Sequence, residues 1–142
     1  MSTYADTSFL VSLYVLDANS ALAAAHMEQA RLPILLTPFS ELELTNVISL
    51  RLFRQELPSS KIKTAQALVR KDLSDGVLVL KPLPEGLFER AMQMTRRRTP
   101  QLGTRTLDLL HVASALKLQA ERFYTFDRKQ EKLARAEGLA VP

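Results

Sequence analysis

Short apolar runs alternate with longer helical patterns along the whole chain, and this alternation restricts the fold more than any other feature of the sequence. Runs of strand length are predicted as strands at residues 3–5, 32–36, 77–80, 122–126 and 139–141. Strands that are apolar on both faces are typical of a parallel sheet covered by helices on both sides. We therefore expect an α/β fold with a mainly parallel central sheet and helices on both faces.

Helices are predicted between these strands, at residues 8–16, 21–31, 38–55, 61–75, 87–98, 106–118 and 127–137. Thr37 and Pro38 supply an N-cap and a proline at the first helical position for the third of these helices. Gly76 is suited to ending the fourth helix. Pro100 and Gly103 indicate a loop after the fifth helix.

Length and composition restrict the class of protein. The chain has 142 residues, a single-domain length, so we expect one domain over residues 1–142. It has no cysteine, which excludes disulfides, thiolate nucleophiles and cysteine-ligated metal sites. Its longest uncharged stretches are about half the ~20 residues that a membrane-spanning helix needs. Because the first residues also lack a basic segment before an apolar run, we expect a cytoplasmic protein without a membrane span.

Acidic residues follow several of the predicted strands. Asp6 follows the first strand and Asp127 follows the strand at 122–126. Glu43 lies in the second turn of the helix after the second strand. Because the carboxyl ends of parallel strands gather along one edge of a sheet, we expect these three carboxylates to approach one another there. Asp6 and Asp127 also precede helices, so each has an alternative role as an ordinary N-cap.

Helical spacing distinguishes Glu43 from a neighbouring glutamate. Glu43 and Asn46 lie within an apolar stripe, and a polar side chain in such a stripe needs a partner. The stripe consists of Phe39, Leu42, Val47, Leu50 and Phe53. Glu41 lies on the opposite side and remains a rival for the site. Beside Glu41 runs a second stripe, which fits either the core or a partner surface and consists of Leu44, Ile48 and Leu52.

Asp108 is a fourth acidic candidate, in the first turn of the helix at 106–118. It shares an apolar face with His111, Val112 and Ala115. Clustered buried carboxylates repel one another strongly unless a cation joins them. Oxygen ligands alone favour Mg²⁺ or Mn²⁺ over zinc or copper, and these ions accept phosphate oxygens. Phosphodiester cleavage by a metal-activated water is the reaction that this chemistry favours.

Four segments together resemble, in order and spacing, the acidic motifs of PIN-domain nucleases, and among these the chain is similar to VapC-type toxins of toxin-antitoxin pairs. The segments are residues 4–8 (Tyr-Ala-Asp-Thr-Ser), 43–46 (Glu-Leu-Thr-Asn), 107–116 and 124–127 (Tyr-Thr-Phe-Asp). The resemblance implies a ribonuclease that depends on Mg²⁺ or Mn²⁺ and is usually a homodimer neutralised by a small antitoxin. The catalytic and metal-binding acids that it implies are Asp6, Glu43, Asp108 and Asp127, with Thr7, Asn46 and Thr125 supporting them.

A basic cluster lies close to this predicted site. The net charge of +4 favours a polyanionic partner. Arg96, Arg97 and Arg98, together with Arg105, bracket the loop before Asp108 and are candidates for contacts to RNA phosphates, or form a solvated helix end. His26 and His111 are expected to be packed and hydrogen-bonded rather than catalytic. Two alternative functions remain open: an RNA-processing PIN nuclease without an antitoxin, and a non-catalytic RNA-binding α/β domain whose acids are caps.

Overall fold

The computed structural model describes residues 2–142, which form four strands and seven helices. The elements in chain order are β1 (Thr3–Ala5), α1 (Thr7–Tyr14), α2 (Ser20–Gln29), β2 (Ile34–Leu36), α3 (Pro38–Phe53), α4 (Ser59–Ser74), β3 (Leu78–Leu80), α5 (Leu87–Leu102), α6 (Thr106–Lys117), β4 (Arg122–Tyr124) and α7 (Arg128–Ala136).

The four strands form one sheet in the order β3-β2-β1-β4, and every pairing is parallel. Thr3 of β1 lies opposite Ile34 of β2 on one side and Arg122 of β4 on the other. The strands are therefore aligned so that the chain leaves β1, β2 and β4 at the same edge. This edge carries Asp6, the start of α3 and Asp127, and the predicted α/β fold with a parallel sheet is confirmed.

Alternating side chains of the strands pack into two cores, one on each face of the sheet. Tyr4, Leu35 and Phe123 belong to the core formed with α5, α6 and α7. Ile34 and Tyr124 belong to the core formed with α1, α2, α3 and α4. Each fully buried large apolar side chain contributes about 1.5–3 kcal/mol relative to exposure. Both faces of the sheet are thus covered by helices, as predicted.

Several predicted elements differ from the structure by one or two residues at their ends, and two predictions differ by more. Residues 139–141 make a single bridge, from Ala140 to Arg122, rather than a fifth strand. Helix α5 continues past Arg98 and through Pro100, where a loop was predicted. Pro100 cannot donate a helical hydrogen bond and its ring crowds the carbonyl four residues earlier, but it lies in the last turn, so little of the helix is affected. The helix ends at Leu102 and is capped by Gly103, whose φ of +63° suits glycine.

The buried apolar side chains of α3 come from the second stripe, although its third member, Leu52, is 44% exposed. Leu44 and Ile48 are buried, whereas Leu42 and Phe53 of the first stripe are 70% and 83% exposed. Helices α1 and α4 decide this outcome, because both pack against α3 and share one core with Leu44 and Ile48. No helix within residues 2–142 combines the length and apolar character needed to cross a bilayer.

Candidate active site

A cleft lies at the carboxyl edge of the sheet, and three of the four predicted acids line it. Glu43 comes from α3, Asp108 from the first turn of α6, and Asp127 from the residue before α7. The other residues of the cleft wall are Thr7, Ser8, Val11, Val47, Arg105, Thr106, Leu107 and Gln130. The parallel strands bring Asp127 to this edge, and the packing of α3 and α6 adds Glu43 and Asp108.

Asp6 is fully buried beside the wall of the cleft. Its Oδ1 accepts hydrogen bonds from the backbone N–H of Phe9, at 3.0 Å, and from Ser8 Oγ, at 2.7 Å. Its Oδ2 accepts from the hydroxyl of Thr125. Asp6 is therefore the N-cap of α1 as well as a member of the acidic group. Burial raises the pKa of Asp6 and outweighs the opposing effects of His111 and of these hydrogen bonds.

Glu43 is half-buried and held by two donors. Its Oε1 accepts from His111 Nε2, at 2.8 Å, and from the hydroxyl of Thr7. Burial acts to raise the pKa of Glu43, but the hydrogen bonds from His111 and Thr7 act in the opposite direction and leave it below its ordinary value. Glu43 is therefore held in its ionised form at the cleft.

Arg105 joins the two remaining acids. Its Nε donates to Asp108 Oδ2 at 3.2 Å, and its Nη2 donates to Asp127 Oδ2 at 2.7 Å. The backbone N–H of Arg105 also donates to Asp108 Oδ2, at 3.0 Å. Asp127 Oδ1 caps α7 by accepting from the backbone N–H groups of Lys129 and Gln130. Asp127 thus has one oxygen in the cap and the other directed at a cation.

The supporting residues that were predicted do not all lie together. Thr7 and Thr125 contact Glu43 and Asp6 through their hydroxyls, as described above. Asn46 is exposed on α3 and does not belong to the described cleft wall. Glu41 faces a groove between α3 and α4 instead of the cleft. The geometry therefore favours Glu43 over Glu41 as the site acid.

The structure divides the four predicted RNA-binding arginines. Arg105 lines the cleft, whereas Arg97 and Arg98 form salt bridges with the nearly buried carboxylate of Glu137, at 2.6 Å and 3.0 Å. Arg96 is exposed on α5 and lines a shallow surface depression away from the acids. Only Arg105 among the four contacts the acidic group directly.

Ser8 and His111 contact Asp6 and Glu43, respectively, and neither contact was predicted from the sequence. The prediction of a packed, hydrogen-bonded histidine is correct in that the ring is fully buried. The ring also touches Glu43, which is 68 residues away in the chain. The available signal was the spacing of His111 three residues after Asp108 on the same apolar face of the helix.

The carboxylates have the chemistry of a site for a divalent cation, although they are not gathered around one point. Within residues 2–142, no three acidic or histidine side chains are close enough to hold a metal ion. Carboxylate oxygens are nevertheless the ligands that Mg²⁺ and Mn²⁺ prefer. The guanidinium of Arg105 already occupies a cation position between Asp108 and Asp127. These residues therefore fit a divalent ion in their ligand type and in their attraction for positive charge.

Comparisons with known proteins agree with the fold. Residues 3–136 match the family model of the PIN domain. No curated protein sequence matches the chain. Among solved structures, VapC20 of Mycobacterium tuberculosis, described as a toxin that cleaves the sarcin-ricin loop, is similar with a TM-score of 0.72 and 19% identity, over 97% of this chain and 96% of that one.

Two solved complexes are also similar. VapBC2 of Rickettsia felis, bound to a DNA fragment from its promoter, gives a TM-score of 0.67 and 18% identity over 100% of this chain and 98% of that one. FitAcB of Neisseria gonorrhoeae gives a TM-score of 0.67 and 17% identity over 98% of this chain and 95% of that one. At these identities the likeness establishes the fold.

Proposed function

The chain belongs to the PIN domain family, and on this premise we propose that it is a cytoplasmic metal-dependent endoribonuclease that acts as the toxin of a toxin-antitoxin pair. The observation that carries the proposal is the acidic cleft. Glu43, Asp108 and Asp127 line it, and Asp6 adjoins its wall through Ser8. The similarity to a toxin described as cleaving the sarcin-ricin loop adds support for this activity.

The Mg²⁺ or Mn²⁺ ion would be held by Asp6, Glu43, Asp108 and Asp127, which would have to move closer together than they lie here. When bound, such an ion supplies Lewis acidity and lowers the pKa of a coordinated water. Thr7 and Thr125 hold the carboxylates of Glu43 and Asp6 in place by hydrogen bonds.

Arg105 has a role in binding the substrate in the proposed function, in addition to its pairing with Asp108 and Asp127. Its side chain is 61% exposed at the cleft, so it can move without disturbing the core. If Asp108 and Asp127 were neutralised by a bound ion, the Arg105 guanidinium would be available for a phosphate of the RNA, to which it can donate two parallel hydrogen bonds. Arg105 would then serve both as the cation that pairs with the two acids and as a substrate contact.

The test of catalysis is an Asp6→Asn variant assayed on single-stranded and loop RNA. Asparagine keeps the oxygen that caps α1 but lacks the charge, so we expect at least a hundredfold lower rate with an intact fold. Glu43→Gln should also lose activity, and Glu41→Gln, two residues away on the same helix, is the matched control. EDTA should stop cleavage by the parent. Equal rates for parent and Asp6→Asn would contradict the site, and insensitivity to EDTA would favour the non-catalytic alternative.

The toxin role is tested separately, in cells. Expression of the parent should slow growth, expression of Asp6→Asn should not, and co-expression of the small reading frame adjacent to the gene should restore growth. Normal growth in the presence of verified active protein would remove the toxin role. It would leave the RNA-processing nuclease without an antitoxin.

A homodimer is part of the proposed function, and α5 offers a surface for it. Phe88 and Met92 are 68% and 53% exposed on the outer face of this helix. Glu89 and Arg96 lie on the same face, one turn before and one turn after Met92. If two α5 helices pack antiparallel about a two-fold axis near Met92, Glu89 of each copy lies opposite Arg96 of the other. The face is therefore complementary to itself in charge.

A further inference from the structure

A chain of buried hydrogen bonds leads from Glu43 away from the cleft into the protein. His111 Nε2 lies 2.8 Å from Glu43 Oε1, and His111 Nδ1 lies 2.9 Å from the hydroxyl of Tyr4. The Tyr4 hydroxyl is also 2.9 Å from Ser40 Oγ, which is 3.1 Å from Thr37 Oγ1. The members of this hydrogen-bond chain beyond Glu43 are all fully buried. The acidic cleft alone does not explain why these buried hydrogen bonds are present.

The carboxylate at one end fixes the hydrogen on His111 Nε2, and the directions of the other bonds then follow for a neutral ring. An ionised carboxylate only accepts hydrogen bonds, so His111 Nε2 must carry a hydrogen. In a neutral ring Nδ1 is then an acceptor, and Tyr4 must donate its single hydrogen to it. The Tyr4 oxygen accepts from Ser40, which accepts from Thr37. Burial raises the pKa of Tyr4, so its hydroxyl remains a donor.

The chain connects the elements that carry the site acids. Tyr4 lies in β1, two residues before Asp6; Ser40 lies in α3, one turn before Glu43; and His111 lies in α6, one turn after Asp108. The rings at the centre are also packed on other aromatic rings. Tyr4 stacks on Phe123 with centroids 5.6 Å apart, and Phe39 lies 4.7 Å from His111. The imidazole therefore has little freedom to turn.

A residue at position 111 that only filled space in the core would not need these buried hydrogen bonds. Buried polar groups are costly unless their hydrogen bonds are made, and an apolar residue would fill the volume without that cost. Glu43 is on the cleft wall, where a flexible carboxylate would have to be ordered each time an ion bound. A carboxylate that is already held by a hydrogen-bond donor does not have to be ordered when the ion binds. Hydrogen bonds to the ligand side chains improve metal sites in this way.

We propose that His111 is a positioning residue, whose Nε2 hydrogen fixes the orientation of the Glu43 carboxylate at the cleft while Tyr4 and Ser40 fix the tautomer and orientation of the imidazole. The inference deepens the proposed function and rests on it for the role of Glu43 in metal binding. His111 itself contacts neither ion nor substrate and acts only through Glu43.

Two replacements of His111 separate this role from simple packing. Glutamine can place its amide nitrogen near the position of Nε2, whereas asparagine can place it only near Nδ1. We expect His111→Asn to weaken Mn²⁺ binding, measured by calorimetry, by roughly 10- to 100-fold, and cleavage similarly. His111→Gln should stay within a few-fold of the parent. Both variants lose the ring, so equal weakening in both, or in neither, would overturn the proposal.

NMR of the ¹⁵N-labelled, metal-free protein provides a second readout that needs no folded His111 variant. The hydrogen of His111 should be on Nε2 and not on Nδ1, and it should exchange slowly with solvent. Its protection should fall in Glu43→Gln and persist in the control Glu41→Gln, and Tyr4→Phe should weaken the tautomer preference. A hydrogen on Nδ1, or protection that does not depend on Glu43, would overturn the proposal.

The two readouts also separate this inference from the proposed function. A parent that neither binds Mn²⁺ nor cleaves RNA would overturn the proposed function, and the NMR result would still decide whether His111 positions Glu43. A parent that binds and cleaves, with His111→Asn equal to His111→Gln, would overturn the positioning role and leave the nuclease standing.

Discussion

Arg105 donates a 2.7 Å hydrogen bond to Asp127, 22 residues away in the chain, while it also holds Asp108. The guanidinium therefore lies between two carboxylates that would otherwise repel each other. The same two carboxylates are among those that would hold a divalent ion in the proposed function. A metal ion and Arg105 should consequently compete for the same two side chains.

Replacing Arg105 by Gln should reveal this competition. The variant loses the cation between Asp108 and Asp127, so it should melt at a lower temperature than the parent in EDTA. It should bind Mn²⁺ roughly tenfold more tightly, since the acids no longer have to release an arginine. Calorimetry and melting curves with and without Mn²⁺ measure both effects. Arg98→Gln, which alters an arginine paired with Glu137, is the control, and unchanged Mn²⁺ affinity in Arg105→Gln would contradict the competition.

Asp127 allows capping and metal binding to be measured on one residue. Asp127→Asn keeps the oxygen that caps α7 and loses the charge, whereas Asp127→Ala loses both. In EDTA, Asp127→Ala should cost about 0.5–2 kcal/mol of unfolding free energy through the lost cap, and Asp127→Asn much less. In several millimolar Mg²⁺ the parent should gain stability and both variants should gain little. A parent that gains nothing would show that the residue is only a cap.

The raised pKa of Asp6 gives stability a specific pH dependence in the absence of metal. Below the ordinary value of 3.8, Asp6 is protonated in both the folded and the unfolded chain, and its contribution is fully present. As the pH rises, the unfolded chain ionises first, so this contribution is lost until the pH has passed the raised folded value.

Comparison with Asp6→Asn isolates that effect, because asparagine does not titrate. The unfolding free energy of the parent relative to the variant should fall above pH 3.8, with a slope of at most about 1.4 kcal/mol per pH unit. Denaturant unfolding in EDTA at a series of pH values measures it, and added Mg²⁺ should reduce the decline. A difference that stays constant with pH would contradict the raised pKa.

Charge reversal tests the dimer surface on α5. Glu89→Arg should place two arginines opposite each other across the two-fold axis and shift the protein toward monomer in sedimentation. The double variant Glu89→Arg with Arg96→Glu restores opposite charges and should recover the dimer. Failure of the double variant to recover, or a dimer unaffected by Glu89→Arg, would place the interface elsewhere.

The salt dependence of RNA binding distinguishes the arginines. Each lost phosphate contact should make the slope of log affinity against log salt shallower by roughly 0.7 for a single strand. Arg105→Gln should do this. Arg97 and Arg98 are held by Glu137, so their replacement by Gln should lower the melting temperature, and a contact to RNA would require them to leave that pair. Arg96→Gln with a shallower slope and unchanged sedimentation would assign Arg96 to RNA.

The sheet and its acidic edge are the parts of this protein that the sequence determined by itself. The strands are short and apolar, and an all-parallel sheet brings residues that follow the strands to one side. Asp6 and Asp127 could therefore be placed at a common edge, and their capping roles follow from their positions before helices. These features depend on local periodicity and on parallel pairing, and a few residues in each segment are enough to specify both.

The tertiary structure decided the contacts between distant residues. Helical periodicity marked two stripes on α3, but the packing of α1 and α4 made Leu44 and Ile48 the buried residues. It also left Glu43 at the cleft and Glu41 outside it. The bonds from His111 to Glu43 and from Arg98 to Glu137 span 68 and 39 residues. Such bonds depend on how whole helices are oriented against the sheet. A pattern within one segment specifies which of its faces are polar or apolar, but not which neighbour each face meets.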